Sequence, residues 1–161
     1  MEIVFRPIGS IISPFKNPEG MPIQSSLALG VQGKIVLLPE YIDGVKDLDG
    51  FSHIILLYHF HKVSGHKLVV KPFLDDKPRG VFATRAPQRP NQIGLSIVKL
   101  LKVNENILHV ENIDILDGTP LLDIKPYVPM FDEHRATCVG WLENVENDVR
   151  EIKSDNRFLV D

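Results

Sequence analysis

Twelve prolines and eleven glycines are distributed over most of this 161-residue chain, and they limit the length of any regular element. Each proline removes a backbone donor and holds the residue before it in extended geometry. The segments between these breaks are rich in β-branched and aromatic residues. Many short strands joined by turns predict a mostly β fold, a small antiparallel β-barrel. Alternating strands and helices and a glycine-rich dinucleotide fingerprint are both missing from the sequence, so we expect a non-Rossmann fold.

The predicted strands are short. The most apolar segment, residues 51–61, is predicted to be a central strand because it combines aromatic and β-branched residues over a strand-like length. Residues 94–103 and 107–115 flank an Asn-Glu-Asn turn, which predicts a hairpin.

A different pattern follows residue 137. Apolar residues recur there every three or four positions, which predicts one amphipathic C-terminal helix; they are Val139, Leu142, Val145, Val149 and Ile152. We therefore expect a barrel domain over residues 1–137 and a helical tail over residues 138–161.

The composition excludes several classes of protein. A single cysteine, Cys138, rules out an intramolecular disulfide and a cysteine-based zinc cluster. No run approaches the 18 apolar residues of a membrane span, and the N-terminus does not resemble a signal peptide. We expect a cytoplasmic protein with no membrane partner.

Charge is segregated along the chain, although the net charge is only −3. Residues 61–89 contain seven Lys or Arg and two acids, whereas residues 103–123 contain five acids and no Lys or Arg. Such a basic segment is able to contact phosphates. Solvated basic loops give the same pattern, so charge alone leaves both interpretations open.

The segment GVFATRAPQRPNQIG, residues 80–94, is the least typical of a core. Pro87 and Pro90 make it a stiff, extended loop that holds Arg85 and Arg89 at defined positions, with Asn91 just beyond. Stiffness lowers the entropic cost of binding, and arginine suits carboxylate or phosphate. A proline-rich surface connection is the alternative.

A second polar segment, NIDILDGTPLLDIKPYVP, covers residues 112–129. Asp114 and Asp117 precede a Gly-Thr-Pro turn and are candidates to accept a proton or to bind a cation. Asp117 has an equally good explanation as a turn-initiating residue. His53, His59, His61 and His66 form a histidine group in which a metal site is possible, but single hydrogen-bonding roles are favoured and we assign no metal.

These segments resemble the TrmO/TsaA-like family. The arginine segment is similar to the family signature, and three flanking segments agree with it in order and spacing: IGSIISPF, LDGFSHIILLYHFH and DILDGTPLLDIKPYVP. The resemblance runs from about residue 8 to residue 129. In one departure, Gln92 stands where the family usually has proline, which is expected to loosen the loop slightly.

The resemblance implies a homodimeric β-barrel methyltransferase. It would use S-adenosylmethionine to modify N6 of N6-threonylcarbamoyladenosine at position 37 of tRNA. The implied cofactor contacts are Ser25, Ser26, Leu27, His61, Lys62, Arg85, Leu95, Asp114, Ile115, Leu116 and Asp117.

The substrate would be bound at the anticodon loop. We assign RNA contacts to Arg89, Asn91, Lys67 and Lys71, which lie in or next to the basic segment. The candidate proton acceptors are Asp114, Asp117, His61 and Tyr127, and the sequence does not choose among them. Two other functions stay open: a non-catalytic module that binds a nucleotide or tRNA, and a metal-dependent hydrolase built on the histidines.

Overall fold

The computed structural model describes residues 1–145, 149 and 151–159. Six antiparallel strands close into a barrel in the order β1-β2-β7-β6-β3-β8, and β4 and β5 form a separate two-stranded sheet. The strands are β1 Gly9–Ile12, β2 Gln32–Leu37, β3 His53–His59, β4 Val69–Val70, β5 Arg79–Gly80, β6 Ile93–Asn104, β7 Ile107–Glu111 and β8 Thr119–Pro126. The predicted antiparallel β-barrel is confirmed.

Helices in the described residues are short. One α-helical turn, α1, covers Pro129–Asp132, and 3-10 helices cover Ser25–Leu27, Pro39–Val45, Leu48–Gly50, Val81–Ala83 and Gly140–Asn144. Within the described part of the chain, no helix has the length and apolar character needed to cross a membrane.

Alternation of side chains along the strands builds the core. In β3, Ile54, Leu56 and Tyr58 are buried and their neighbours are partly exposed. In β6 the inward residues begin with Gly94 and Ser96 and continue with apolar ones. Since successive side chains point to opposite faces of a strand, one closed sheet separates an apolar interior from an outer surface.

The long β6–β7 hairpin forms where the sequence predicts it. Residues 105 and 106 connect the two strands, and Glu105 adopts a positive φ of 53°. The side-chain amide of Asn106 donates to the carbonyl of Leu37 at 2.9 Å, which ties the turn to β2.

The C-terminal region differs from the prediction of one amphipathic helix over residues 138–153. Its described helical part is only the 3-10 helix Gly140–Asn144. Residues 146–148 and 150 of the predicted helix lie outside the described residues. Lys153 is extended and forms an antiparallel bridge with Pro22. Spacing by three or four was misleading because it is compatible with a helix but does not require one, and Val139 and Leu142 are exposed.

Candidate functional site

A cavity of about 380 Å³ opens at one rim of the barrel, and we call it the rim cavity. Its volume lies within the roughly 300–1,000 Å³ typical of small-molecule sites. Segments far apart in sequence contribute to its walls. The lining residues are Pro18, Met21, Pro22, Ile23, Gln24, Tyr58, Phe60, His61, Lys62, Val63, Phe73, Thr84, Arg85, Pro87, Arg89, Ile93, Gly94, Leu95, Asp114, Ile115, Leu116, Thr119, Ser154, Asp155, Phe158 and Leu159.

The arginine loop, residues 80–92, forms one wall of the rim cavity. It starts with the 3-10 helix Val81–Ala83, whose Val81 is buried. Arg85 is exposed, and its Nη1 donates to Oε1 of Gln24 at 2.6 Å. This bond joins the loop to residues 18–24 across the cavity mouth and leaves a cation at the site.

Arg89, four residues later, has a different environment. Its Nη1 lies 2.9 to 3.3 Å from the backbone carbonyl oxygens of Val81, Thr84 and Ala86. A guanidinium group that satisfies three carbonyls of its own loop holds that loop in shape. The structure thus gives Arg89 an internal bracing role that the sequence did not suggest, and its assigned contact with RNA stays a prediction.

Gln92 also braces the loop. Its side-chain amide donates to the carbonyl of Gly65 at 2.7 Å, and its own carbonyl accepts from the amide of Phe60 at 2.9 Å. The side-chain bond is one that proline could not make, so glutamine supplies a restraint of its own, and the expected loosening of the loop stays a prediction.

Asp114 lies at the end of a chain of hydroxyl groups. Ser96 Oγ donates to Asp114 Oδ1 at 2.6 Å, and the hydroxyl of Tyr58 lies 3.0 Å from the same Oγ. Tyr58 and Ser96 are buried, and Asp114 lines the rim cavity. Since the carboxylate only accepts, the proton order runs from Tyr58 through Ser96 to Asp114.

Burial controls the acidity of Asp114. It raises the pKa of this carboxyl to about 6, against the lowering effects of the Ser96 hydrogen bond and the Arg85 charge. Burial raises the pKa of Tyr58 as well. A carboxyl with a pKa near 6 is mostly ionised at neutral pH and is still basic enough to accept a proton.

Gly94 makes room for this chain of hydroxyls. A Cβ at this position would approach the rings of Tyr58 and Phe60, with Phe60 Cζ at 2.9 Å. The two rings pack edge to face at 5.5 Å. Glycine in β6 therefore lets the rings of Tyr58 in β3 and of Phe60 just after it lie directly against the cavity.

Asp117, unlike Asp114, is used in contacts that hold neighbouring parts of the chain together. Its Oδ1 accepts from the amide of Ser13 at 3.0 Å, and its Oδ2 pairs with Lys16 Nζ at 2.6 Å. These contacts lower the pKa of Asp117, the Lys16 hydrogen bond most strongly. With both oxygens engaged and its basicity reduced, Asp117 is poorly suited to accept a proton, contrary to its place among our candidates.

His61 and Lys62 follow the end of β3 and line the rim cavity. His61 Nδ1 lies 3.3 Å from Thr119 Oγ1. Burial, followed by the nearby Lys62 charge, lowers the pKa of His61 below its ordinary 6.5, so the imidazole is neutral at pH 7. Ile115, buried, and Leu116, half-buried, supply apolar surface beside it.

A second groove, of about 430 Å³, adjoins the rim cavity and shares Gln24, Arg85 and Leu95 with it. Ser25 and Ser26 line this groove, and Leu27 ends the same 3-10 turn. Tyr127 also lies here, next to His53 at a ring distance of 6.3 Å. Tyr127 is thus in the groove instead of the rim cavity, which separates it from the other candidate proton acceptors.

The remaining predicted residues lie outside both cavities. Asn91, Lys67 and Lys71 are exposed, and Lys71 pairs with Asp76 at 3.1 Å.

The predicted histidine group is not brought together at one site, because His53 lies in the groove and His61 lies in the rim cavity. Within the part of the chain that the structure describes, no three His, Cys, Asp or Glu side chains are grouped as metal ligands.

Sequence reasoning missed two parts of the site. Tyr58 and Ser96 occupy inward positions of β3 and β6, and a polar residue at an inward strand position was the available signal. The other part is the C-terminal segment, which we define as residues 152–159. It lines the rim cavity with Ser154, Asp155, Phe158 and Leu159, and no feature of the sequence indicated this.

Comparison with known proteins gives the class of the chain. Residues 10–133 match the family described as the tRNA-methyltransferase O N-terminal domain. Since this match covers most of the chain, the protein belongs to that family.

Individual relatives and a solved structure agree with this family assignment. A probable S-adenosyl-L-methionine-binding protein of Pyrococcus abyssi is 51% identical over 157 residues, covering 98% of this chain and 85% of the relative. The tRNA (adenine(37)-N6)-methyltransferase of Homo sapiens is 38% identical over 140 residues, covering 81% of this chain and 31% of the relative. The crystal structure of TrmO from Pseudomonas aeruginosa matches with a TM-score of 0.74 and 39% identity, covering 88% of this chain and 63% of that one.

Proposed function

We propose that this protein is an S-adenosylmethionine-dependent methyltransferase that methylates N6 of N6-threonylcarbamoyladenosine at position 37 of tRNA. The observation that carries the proposal is that Arg85 of the arginine loop and Asp114 line one cavity. Family membership and the printed activities of the relatives agree with it. A cytoplasmic location is part of the same proposal, because tRNA is the substrate.

The residues of the rim cavity fit the proposed cofactor. Its sulfonium and ammonium groups favour a carboxylate, which Asp114 offers, and its carboxylate favours a fixed cation such as Arg85 or Lys62. The adenine ring needs apolar surface, which Ile115 and Leu116 provide. The bound cofactor supplies an electrophilic methyl group, and the protein has to hold the two reactants and remove one proton.

Asp114 is the proton acceptor that the geometry favours. The N6 nitrogen loses a proton as it gains the methyl group, and the Asp114 carboxylate takes up that proton. Ser96 holds one of its oxygens, which fixes the orientation of the other. His61 is the second candidate, because it is neutral and lines the same cavity.

Three exposed lysines are proposed to attract the phosphates of the tRNA. Lys62, Lys67 and Lys77 make no ion pair with the residues that the structure describes, whereas Arg79 pairs with Asp75 and Lys71 with Asp76. Of these three, Lys62 lines the rim cavity, and unpaired cations on this surface would bind the RNA backbone in a salt-dependent way.

The proposed assembly is a homodimer that associates through the outer face of β6. Ile93, Leu95, Ile97 and Leu101 alternate on this strand and are each 37–52% exposed. Lys99 interrupts this row, but the three successive outward residues Ile93, Leu95 and Ile97 form an exposed apolar patch, which favours an interface. Because Ile93 and Leu95 also line the rim cavity, a dimer would bring the partner close to the site.

The decisive test is mass spectrometry of tRNA nucleosides after incubation with enzyme and S-adenosylmethionine. We expect N6-threonylcarbamoyladenosine to gain one methyl group with the native protein and to stay unchanged with Asp114→Asn. Cofactor binding with no methylated nucleoside would instead support a non-catalytic binding module and contradict the proposal.

A further inference from the structure

We infer that the C-terminal segment, residues 152–159, is part of the cofactor-binding site and sets the affinity for the methyl donor. This inference rests on the proposed cofactor. The segment lies beyond residues 10–133 that match the family, and it supplies four residues to the wall of the rim cavity.

The segment is attached to residues 18–22 by backbone bonds. The amide of Gly20 donates to the carbonyl of Ser154 at 2.8 Å, and the amide of Ser154 donates to the carbonyl of Met21 at 2.9 Å. Ser154 Oγ also contacts the carbonyl of Pro18. These bonds join chain segments more than 130 residues apart into one small antiparallel unit over the cavity.

Phe158 anchors the other end of the segment. It is only 6% exposed and packs with Val70, Val81 and Ala86, which come from the two-stranded sheet and the arginine loop. Its ring meets Phe73 edge to face at 5.0 Å. Arg157 adds a hydrogen bond to the carbonyl of Pro72 at 2.8 Å and lies over the Phe73 ring.

The two anchors support opposite ends of one wall. Ser154 holds the segment to the loop that also carries Gln24, the partner of Arg85, and Phe158 holds it to the arginine loop itself. Between and beside them, Asp155 and Leu159 line the cavity. Without this segment the cavity would lose an apolar side, and the bound cofactor would stay exposed to water there.

The ligand suited to this wall is a nucleoside with both a flat ring and a cation. Phe73, Phe158 and Leu159 offer apolar surface for the ring, whereas Asp155 is already paired with Arg157 at 2.7 Å, so the acid available to the cation is Asp114 in the same cavity. A nucleoside that also carries a sulfonium and an ammonium group has this chemistry. Removal of apolar side chains from this wall is expected to lower the affinity for such a nucleoside in proportion to the buried apolar area that is lost.

Isothermal calorimetry with S-adenosylmethionine tests the inference on the full chain. We expect Phe158→Ala to weaken binding about tenfold, equivalent to about 1.4 kcal/mol, and Leu159→Ala to weaken it by a smaller factor. The matched control is Phe131→Ala, which removes a 68% exposed ring outside both cavities and should leave affinity unchanged. Equal affinity for native, Phe158→Ala and Leu159→Ala proteins would overturn the inference.

Hydrogen exchange separates a binding role from a purely structural one. In the native protein, S-adenosylmethionine should slow exchange of the amides in residues 152–159, the Ser154 amide included, because the bound ligand would contact the cavity wall that this segment forms. A native protein that binds the cofactor without this protection would refute the role of the segment. A native protein that binds no cofactor would instead refute the proposed function.

Discussion

The barrel interior and the rim that carries the cavity are built in different ways. The interior is one apolar cluster supplied by all six barrel strands, with Ile11, Ile54 and Leu108 fully buried. The rim cluster has four buried residues, Val70, Val81, Ala86 and Phe158, from three separate stretches of chain. Hydrogen-bonded strands fix the first, whereas loops and side-chain bonds fix the second.

This difference indicates that the barrel interior provides most of the folding stability, whereas the rim provides the binding site. Loops with few buried contacts open at lower free-energy cost than core strands, and ligand sites are commonly found on them. Asp114 lies at the boundary, where its carboxylate faces the cavity while its hydroxyl partners belong to the strands. Substitutions in the two regions should therefore change different measured quantities.

The largest expected effect follows removal of the Asp114 carboxylate. Asp114→Asn should lower the single-turnover rate of methyl transfer by roughly 10²–10⁴-fold, the usual contribution of a general base. In the native enzyme the rate should rise with pH and level off above about pH 6, the pKa of Asp114. A full rate in the variant, or a native rate that is flat between pH 5 and 7, would remove Asp114 from this role.

Asp114→Asn should also stabilise the fold at high pH. The folded pKa of about 6 lies above the ordinary 3.8, so the native protein loses stability as pH rises between these values. The asparagine variant escapes that loss. Its gain, at most about 3 kcal/mol, should be full above pH 6 and absent near pH 4 in thermal unfolding.

A substitution in the barrel interior should lower the stability of the fold without changing the affinity for the cofactor. Leu56→Ala should lower the free energy of unfolding by about 2–5 kcal/mol because it opens a cavity among fully buried neighbours. Urea denaturation measures this loss. The dissociation constant for the cofactor should stay within about twofold of native under conditions where the variant is folded, and a larger change would break the separation between core and rim.

Arg85→Ala should affect binding and leave stability nearly unchanged. Loss of the cation is expected to weaken cofactor binding more than tenfold, while the unfolding free energy changes by about 0.5 kcal/mol or less, because Arg85 is exposed. Calorimetry and urea denaturation measure the two quantities. Arg135→Ala, at another exposed arginine, serves as the control for net charge; an identical affinity for both variants would exclude Arg85 from the site.

The smallest effect is expected at Asp117. Asp117→Asn removes a partly exposed ion pair with Lys16 and weakens one bond to Ser13, so it should cost about 0.5–1 kcal/mol. Since its folded pKa is lowered, this contribution is present above the ordinary carboxyl pKa and is lost as pH falls. Methyl transfer should persist, and a loss as large as that of Asp114→Asn would contradict the structural role.

The barrel could be predicted from local patterns because the alternation along a strand and the residues of a turn both depend on neighbouring positions in the sequence. The β6–β7 hairpin and the apolar strand β3 follow directly from them. The tail could not be predicted, since apolar residues spaced by three or four are compatible with a helix but do not require one. Phe158 finds its partners only in the assembled rim.

The site was predictable in residue type and less so in role. Arg85 and Arg89 belong to one stiff loop, yet only Arg89 is close enough to three carbonyls to be used inside it. Asp114 and Asp117 lie three residues apart, yet one meets a buried serine and the other a surface lysine. Partners that lie far apart in the chain decide such roles, and a single sequence does not specify those partners.

A crystal structure of the protein with S-adenosylhomocysteine, the demethylated form of the cofactor, tests the central claim most directly. The account predicts that the ligand lies in the rim cavity, in contact with Arg85, with Asp114 and with the C-terminal segment. A ligand bound elsewhere on the barrel, with the rim cavity filled only by water, would contradict it.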